Sequence, residues 1–347
     1  MRSPLFAPCP LASAVACVVV LVMLLFAARV ARSEDAGALF GAHEFSVGST
    51  LDGSEQKVLA WAPRGAEADS PGVGIPLLVS MHTWSTDYAS YDGIEQVMKE
   101  CRARGWVCIS PSFRGPNARP EACGSDLVAQ DIRDAVLYAC SRYRVDPQRI
   151  YLVGVSGGGH AALVMAHRAR ELWAGVSAWV PVTDLAAWHA FCIQKGLKYA
   201  RDIEACVPHP VGSTAWFEEC RKRSPVFWLD RAKGLAIDIQ AGIHDGHEGS
   251  IPVDHTLRAF NILARANGYT EAVVAFEDID FMRREGRVPH HLSHERVDEP
   301  GRAHAVLFRR QAGAVRVTLF DGGHEIDPAA AIAWLAEQRK GRETGLP

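Results

Sequence analysis

Residues 149–160 read RIYLVGVSGGGH, an apolar run that ends in a serine set among glycines. The residues before Ser156 have the composition of a strand buried on both faces, and those after it (GGGHAALVMAHRAREL) have that of a helix. Gly154, Ser156 and Gly158 fit G-x-S-x-G, in which a serine on a sharp strand-to-helix turn projects its hydroxyl from a sheet edge. The stretch therefore predicts that Ser156 is a nucleophile. The alternatives are a glycine-rich turn without chemistry and a phosphate-binding loop, which lacks here its glycine spacing and its lysine.

Strand and helix patterns alternate on both sides of this stretch, with short links. This predicts parallel βαβ units and an α/β fold with a doubly wound, mostly parallel sheet. A hairpin around Asp52-Gly53 precedes the alternation, Ser125 is expected to cap a long helix, and a polar loop is expected after Gly268. The alternation breaks between Asp184 and Asp230. We therefore predict one catalytic domain over residues 40–345 with a cap inserted at about 184–230.

A serine nucleophile needs a base, and two histidines compete for that role. His160 lies one turn into the helix after Ser156 and on its flank, so we expect it to be neutral and buried beneath the nucleophile. His324, in VTLFDGGHEID, lies in a glycine-rich loop after the last apolar strand, where loops at the carboxyl ends of the strands converge. We therefore predict that His324 is the base, with an ordinary surface histidine as the alternative.

The third expected group is an acid that orients the base. A chain order of serine, acid and histidine, and a place just after the preceding parallel strand, select Asp245 in IQAGIHDGHEG. A carboxylate there holds the imidazole tautomer and stabilises its charged form. Three other acids compete: Asp238 lies inside the strand, Asp321 is close to His324 in sequence, and Glu248 competes if the loop folds differently.

The amino-terminal segment predicts an exported protein. The chain has 347 residues and a net charge of −3, and without a long Lys/Arg run it does not indicate a nucleic-acid partner. Between Arg2 and Arg29 no residue is charged, and the run LASAVACVVVLVMLLFAA predicts a signal peptide over residues 1–33 that is cleaved after Ser33. The alternative is an uncleaved membrane anchor over residues 11–28. Both predict that the remainder of the chain is exported: cleavage predicts a secreted or periplasmic protein, and the anchor predicts an exported protein held at the membrane.

Export bears on the seven cysteines that follow residue 33, because cysteines tend to pair in oxidising compartments. Cys192, Cys206 and Cys220 lie together in the cap region, and we predict one disulfide among them. The odd number leaves at least one thiol free. Cys108 lies in an apolar strand and is expected to be buried and inert.

With these residues assigned, the chain resembles the α/β-hydrolase fold, and most closely the catalytic domain of the prolyl oligopeptidase family. The resemblance runs from about Ile75 to Arg339. It is carried by PSFRGP, DIRDAV, VDPQRIYLVGVSGGG, WVPVTD, RSPVFW, AGIHDGHEGSIPVDHT and DGGHE. In this order they resemble the approach to the serine, the serine turn, the next strand, the cap, the acid loop and the histidine loop. The resemblance implies a serine hydrolase.

The chain departs from the family pattern in three places. The family usually has a glycine-rich loop after the strand PLLVSMH, whereas here His82-Thr83-Trp84 follows. We expect the Gly157 amide and that of Thr83 or Trp84 to form the oxyanion hole. The acid loop carries an insertion, HEGS, before Ile251. About 40 mature residues precede the domain, too few for the family's β-propeller, and this makes an esterase as credible as a peptidase.

The expected reaction is hydrolysis of a small ester or short peptide through an acyl-enzyme, without a cofactor or metal. Trp84 and Tyr88 are expected to contact substrate in an apolar cleft, with core packing as the alternative. A carboxylesterase or acetyl esterase with the same triad is the alternative function. Metal binding and non-catalytic binding are alternatives of another class. The histidines that suggest a metal are His244, His247, His290, His291 and His294.

Overall fold

A nine-stranded sheet forms the centre of the protein. The computed structural model describes residues 41–91 and 93–341, so the predicted signal peptide and anchor lie outside the described residues. The strands are β1 (His43–Gly48), β2 (Glu55–Trp61), β3 (Ile75–Met81), β4 (Val107–Pro111), β5 (Val145–Val155), β6 (Gly175–Trp179), β7 (Ile237–Gly242), β8 (Val306–Ala312) and β9 (Val315–Phe320). Their order across the sheet is β1-β2-β4-β3-β5-β6-β7-β9-β8.

The middle of the sheet is parallel and its two ends are antiparallel. Strands β4, β3, β5, β6, β7 and β9 pair in parallel. The hairpin of β1 and β2 joins β4 antiparallel, and β8 joins β9 antiparallel. Every residue of β4, β6 and β7 is buried, as expected for strands covered on both faces. The predicted α/β class with a mostly parallel sheet is confirmed.

Nine α-helices lie within the described residues. They are α1 (Ile94–Arg104), α2 (Asp126–Arg142), α3 (Gly157–Arg168), α4 (Leu185–Lys195), α5 (Tyr199–Cys206), α6 (Thr214–Arg223), α7 (Asp254–Ala266), α8 (Phe276–Glu285) and α9 (Pro328–Ala336). The predicted N-cap residue of α2 is confirmed, because the Ser125 hydroxyl accepts a hydrogen bond from the Val128 amide at 3.2 Å. Helix α8 was not expected: it lies where the sequence predicts a polar loop.

The helices pack in two layers. One layer contains α1 and α9, which contact each other. The other contains α2, α3 and α7: α2 contacts α3, and both α3 and α7 contact residues 229–232. Crossover connections between parallel strands are right-handed. Connections that lead toward one edge of the sheet therefore lie on one face, and those that lead toward the other edge lie on the opposite face. Helix α3 packs on β5 and β6, so the turn that carries Ser156 is supported from the middle of the sheet. Within the described residues, no helix has the length and apolar character needed to cross a bilayer.

The region between β6 and β7 is helical rather than irregular. Helices α4, α5 and α6 lie there and bury an apolar cluster of their own, which includes Trp188, Trp216 and Cys206 together with Trp84 and Ile251 from the main domain. The predicted limits of the domain (40–345) and of the cap (about 184–230) stay predictions.

The predicted disulfide in the cap is wrong. In the described part of the chain all seven thiols are free. Cys206 belongs to the same buried cluster as Cys123, which lies in the turn before α2. Burial raises the pKa values of Cys192 and Cys220 to about 12. Cys108 is fully buried in β4, as predicted.

Candidate active site

Ser156 occupies a strained turn between β5 and α3. Its φ is 59° and its ψ is −120°, and its amide donates to the Trp179 carbonyl of β6 at 2.9 Å. A left-handed φ is unfavourable for a residue with a side chain and persists where the surroundings impose it. A Cβ on Gly154 would lie 2.2 Å from the Gly158 carbonyl oxygen, and one on Gly158 would lie 2.3 Å from that of Met81. These glycines therefore let the backbone close around the serine.

The parallel strands bring the other predicted site residues to the same sheet edge. Trp84 follows β3, Asp245 follows β7 and His324 follows β9, each within a few residues of the strand's carboxyl end. Loops at this edge of an open parallel sheet form its usual ligand-binding crevice. Residues that are 168 positions apart, Ser156 and His324, line one cavity as a result.

His324 and Asp245 are directly hydrogen-bonded. The His324 Nδ1 atom lies 2.7 Å from Asp245 Oδ2. The other carboxylate oxygen, Oδ1, accepts from the backbone amides of Gly246 at 2.9 Å and Ile251 at 3.0 Å. Asp245 is almost fully buried, so these three donors replace the water that its charge would otherwise bind. With Nδ1 as the donor to the carboxylate, Nε2 of a neutral His324 is the acceptor.

The cavity beside Ser156 has a volume of about 600 Å³. Its walls come from the loop after β3, helix α1, the serine turn, the cap and the histidine loop. The lining residues are Thr83, Trp84, Ser85, Gly93, Gln96, Val155, Ser156, Tyr199, His324, Glu325, Ile326 and Pro328. Its lining is more apolar than polar, with Glu325 as the one carboxylate among these residues.

The backbone of Trp84 lies against the first residue of α3. A Cβ on Gly157 would be only 2.5 Å from the Trp84 nitrogen and Cα. Gly157 begins the helix, so its amide has no acceptor within the helix. Two amides, of Gly157 and Trp84, therefore lie next to each other beside the serine. The Thr83 hydroxyl is hydrogen-bonded to that of Thr86 at 2.8 Å, and Thr83 also lines the cavity.

The competing acids are occupied elsewhere. Asp238 is fully buried in β7 and forms an ion pair with Arg316 at 2.8 Å. Asp321 contacts His244 at 3.0 Å. Glu248 is exposed. None of the three makes the contact to His324 that Asp245 makes.

Tyr88 is not among the residues that line this cavity, and its predicted contact with substrate stays a prediction. Its hydroxyl donates to Glu44 Oε2 of β1 at 2.5 Å. Burial is the main reason that its pKa is raised well above the usual range. The structure supplies Tyr199 of the cap instead, a residue that the sequence did not single out.

The histidines that suggested a metal do not converge. Among the residues that the structure describes, no three His, Cys, Asp or Glu side chains lie close enough to hold one ion. His291 contacts Asp278 at 3.1 Å, and His244 contacts Asp321 as described above.

His160 lies beneath the serine turn, as predicted. It is 1% exposed, and its Nδ1 donates to the Val182 carbonyl oxygen at 3.0 Å, next to the start of α4. Burial lowers its pKa to about 4, and Arg168 and Arg223 act in the same direction. The imidazole is therefore neutral near pH 7, which bears out the expectation from the sequence.

Together, the sheet order, the serine turn and the loop positions define an α/β-hydrolase. Residues 101–278 match the family model described as "Prolyl oligopeptidase family", which is about half of the chain and includes Ser156 and Asp245. The chain therefore belongs to the prolyl oligopeptidase family of serine hydrolases. No curated protein matches the chain in sequence.

Solved structures share the fold at low sequence identity. Uncomplexed acylaminoacyl peptidase from Pyrococcus horikoshii is 15% identical with a TM-score of 0.59, covering 88% of this chain and 43% of that one. A puromycin-hydrolyzing peptidase from Mycobacterium tuberculosis is 14% identical with a TM-score of 0.56, covering 85% and 37%. The fluorophosphonate-binding serine hydrolase F of Staphylococcus aureus is 15% identical with a TM-score of 0.50, covering 65% and 86%. The chain thus spans less than half the length of both peptidases.

Proposed function

We propose that the protein hydrolyses an ester or peptide bond through an acyl-enzyme formed on Ser156. His324 accepts the proton of the Ser156 hydroxyl as that oxygen attacks the substrate carbonyl, and it then protonates the leaving group. Asp245 orients His324 and stabilises its imidazolium. The amides of Gly157 and Trp84 donate to the oxyanion, and Thr83 is the alternative second donor. Water then attacks the acyl group, with His324 again as the base.

The hydrogen bond between His324 and Asp245 is the observation that carries this proposal. It joins two loops that are 79 residues apart, at a cavity that also contains the strained Ser156. An ordinary surface histidine is not expected to be hydrogen-bonded to a buried carboxylate that two backbone amides hold in place. That arrangement is the one that fixes the tautomer of a general base.

A short peptide is our first candidate substrate, because the chain belongs to the prolyl oligopeptidase family. A carboxylic ester is the second candidate, favoured by the mainly apolar cavity, which suits an acyl or aryl group. Glu325 accepts a hydrogen bond from the Gly323 amide at 3.0 Å, and this contact is the main reason that its pKa is lowered. A carboxylate held in its charged form at the cavity wall favours neutral or cationic substrates over anionic ones.

A fluorophosphonate probe tests the catalytic serine. We expect the probe to label folded protein on Ser156, and Ser156→Ala to abolish both labelling and turnover. Ser54→Ala, in the turn between β1 and β2, is the matched control and keeps both. Folded protein that is not labelled would instead indicate a binding protein with this fold. Full turnover by Ser156→Ala would contradict the serine mechanism.

A matched substrate panel distinguishes the two candidate bonds. Aryl esters are compared with aminoacyl and Pro-containing anilides, and kcat/KM is measured for each. Anilide turnover supports a peptidase, and ester turnover alone supports a carboxylesterase. A preference for succinyl over acetyl esters would contradict the role given to Glu325.

We also propose that the protein is exported, on the basis of the uncharged apolar segment between Arg2 and Arg29. Mature protein isolated outside the cytoplasm is expected to begin at Glu34. Exported protein that still begins at Met1 would support the membrane anchor instead, and protein found only in the cytoplasm would overturn export.

A further inference from the structure

One tryptophan of the cap is hydrogen-bonded to the loop that carries Asp245. Trp188 lies in α4, is 1% exposed, and its indole Nε1–H donates to the Ser250 carbonyl oxygen at 2.8 Å. Ser250 is the last residue of the HEGS insertion by which this chain departs from the family pattern. The cap and the acid loop are thus joined by a directional contact in addition to apolar packing.

This contact reaches Asp245 through a single peptide unit. The carbonyl of Ser250 and the amide of Ile251 belong to the same planar group, and that amide donates to Asp245 Oδ1 at 3.0 Å. On the other side of the carboxylate, Oδ2 contacts His324 Nδ1 at 2.7 Å. Hydrogen bonds in such a chain polarise one another, so a donor on the carbonyl strengthens the amide as a donor to Asp245.

The loop between Asp245 and Ile251 wraps closely around the carboxylate. A Cβ on Gly249 would lie 2.1 Å from Asp245 Oδ1 and 2.8 Å from the His324 Cβ. Gly246 has a φ of 88°, and a Cβ there would lie 2.7 Å from the Pro252 backbone. A loop folded this tightly transmits a displacement of the peptide unit at 250–251 to the carboxylate within it.

Trp188 also packs against the other side of the site. Its ring meets that of Trp84 edge-on, with centroids 4.8 Å apart, and stacks on Tyr199 at 5.1 Å. Trp84 supplies a proposed oxyanion amide, and Tyr199 lines the cavity. One side chain of the cap therefore touches both the acid loop and the oxyanion loop.

We propose that Trp188 is a positioning residue for hydrolysis, which acts through the peptide unit of Ser250 and Ile251 to hold Asp245 against His324. The proposal rests on the function proposed for Asp245 and goes beyond it, because it makes the cap a part of the catalytic apparatus. The alternative is that Trp188 only fills the core of the cap.

The chain offers a matched control for that alternative. Trp216 belongs to the same apolar cluster, lies in α6 and is 2% exposed, but its indole nitrogen has no hydrogen-bond partner. Trp188→Phe and Trp216→Phe therefore remove similar buried surface, and only the first removes a hydrogen bond.

The first measurement compares kcat and KM of these two variants. We expect Trp188→Phe to lower kcat about three- to tenfold relative to Trp216→Phe, the loss that one hydrogen bond produces, with KM changed less than about twofold. Equal kcat values in the two variants would overturn the proposal. If Trp188→Phe does not fold, 3-benzothienylalanine at position 188 keeps the fused ring and lacks the N–H, and its kcat decides by the same criterion.

The second measurement places the same change in an Asp245→Asn background. If Trp188 acts through Asp245, its substitution adds no further loss of kcat there. A loss of the same size in both backgrounds would show that it acts elsewhere, for example through Trp84, and would overturn the proposal. Full turnover by Asp245→Asn alone would instead contradict the proposed triad, so the two failures can be distinguished.

Discussion

His160 is expected to make the protein less stable in mild acid. Its pKa is about 4 in the folded protein against an ordinary value of 6.5, because burial disfavours the imidazolium. Between these values the unfolded chain binds a proton that the folded protein does not bind. Stability therefore falls as the pH falls through this window, and levels off below about pH 4, where the folded form also takes up the proton.

The size of the effect follows from the two pKa values. At pH 5 the unfolded state gains about 2 kcal/mol from this residue relative to pH 7.5. His160→Gln keeps an amide that is able to donate to the Val182 carbonyl and removes the titration. The free energy of unfolding of the wild type should thus drop by about 2 kcal/mol more than that of the variant over this range. His167 and His255, whose pKa values are also lowered mainly by burial, remain in both proteins and cancel.

Urea unfolding at pH 7.5 and pH 5, followed by tryptophan fluorescence, measures the difference. NMR titration of the folded wild type gives a second reading: the His160 ring signals should not shift between pH 7.5 and pH 5.5. Equal losses of stability in wild type and variant, or a ring that titrates near pH 6.5, would refute the reasoning. The second result would mean that water reaches His160 in the folded protein.

Two further predictions concern a close backbone contact beside Ser156 and a buried ion pair. Gly158→Ala should destabilise the protein by about 1–3 kcal/mol and lower kcat by about 100-fold, since its Cβ would lie 2.3 Å from the Met81 carbonyl oxygen. The control is Gly48→Ala, which should do neither because the space around its Cβ is open. Equal melting temperatures and equal turnover for the two variants would contradict this prediction. Arg114→Met should cost about 3 kcal/mol or more in urea unfolding, because it leaves the buried Asp131 unpaired, whereas Lys57→Met, which breaks an exposed pair with Glu44, should change stability by less than about 1 kcal/mol.

The position of the proposed catalytic groups could be predicted because it depends on strand ends. A G-x-S-x-G turn is a local pattern, and chain order then selects Asp245 and His324 from many carboxylates and histidines. Tyr88 lies in the expected loop, but its hydroxyl contacts Glu44 and it does not line the cavity beside Ser156. Side-chain direction depends on such long-range contacts, and loop position alone does not determine it.

Other features were missed for different physical reasons. Helix α8, FEDIDFMRRE, does carry apolar residues three apart, and Ile279 and Met282 are buried, but its six charged residues outweigh that signal. The cap's three cysteines lie in one stretch of sequence, yet Cys206 shares a buried cluster with Cys123, 83 positions earlier. The hydrogen bond of Trp188 to Ser250 has no counterpart in any sequence pattern, because it depends on how the cap helices meet the acid loop.

The place of β9 between β7 and β8 has a consequence for the timing of activity during synthesis. Strand β8 is synthesised before β9, but in the sheet β9 lies between β7 and β8. His324 follows β9 directly, so a ribosome-bound chain has the serine turn long before it has the proposed base. In the proposed mechanism, hydrolysis requires the segment that carries His324, so a frameshift upstream of β9 would remove the proposed base together with an interior strand.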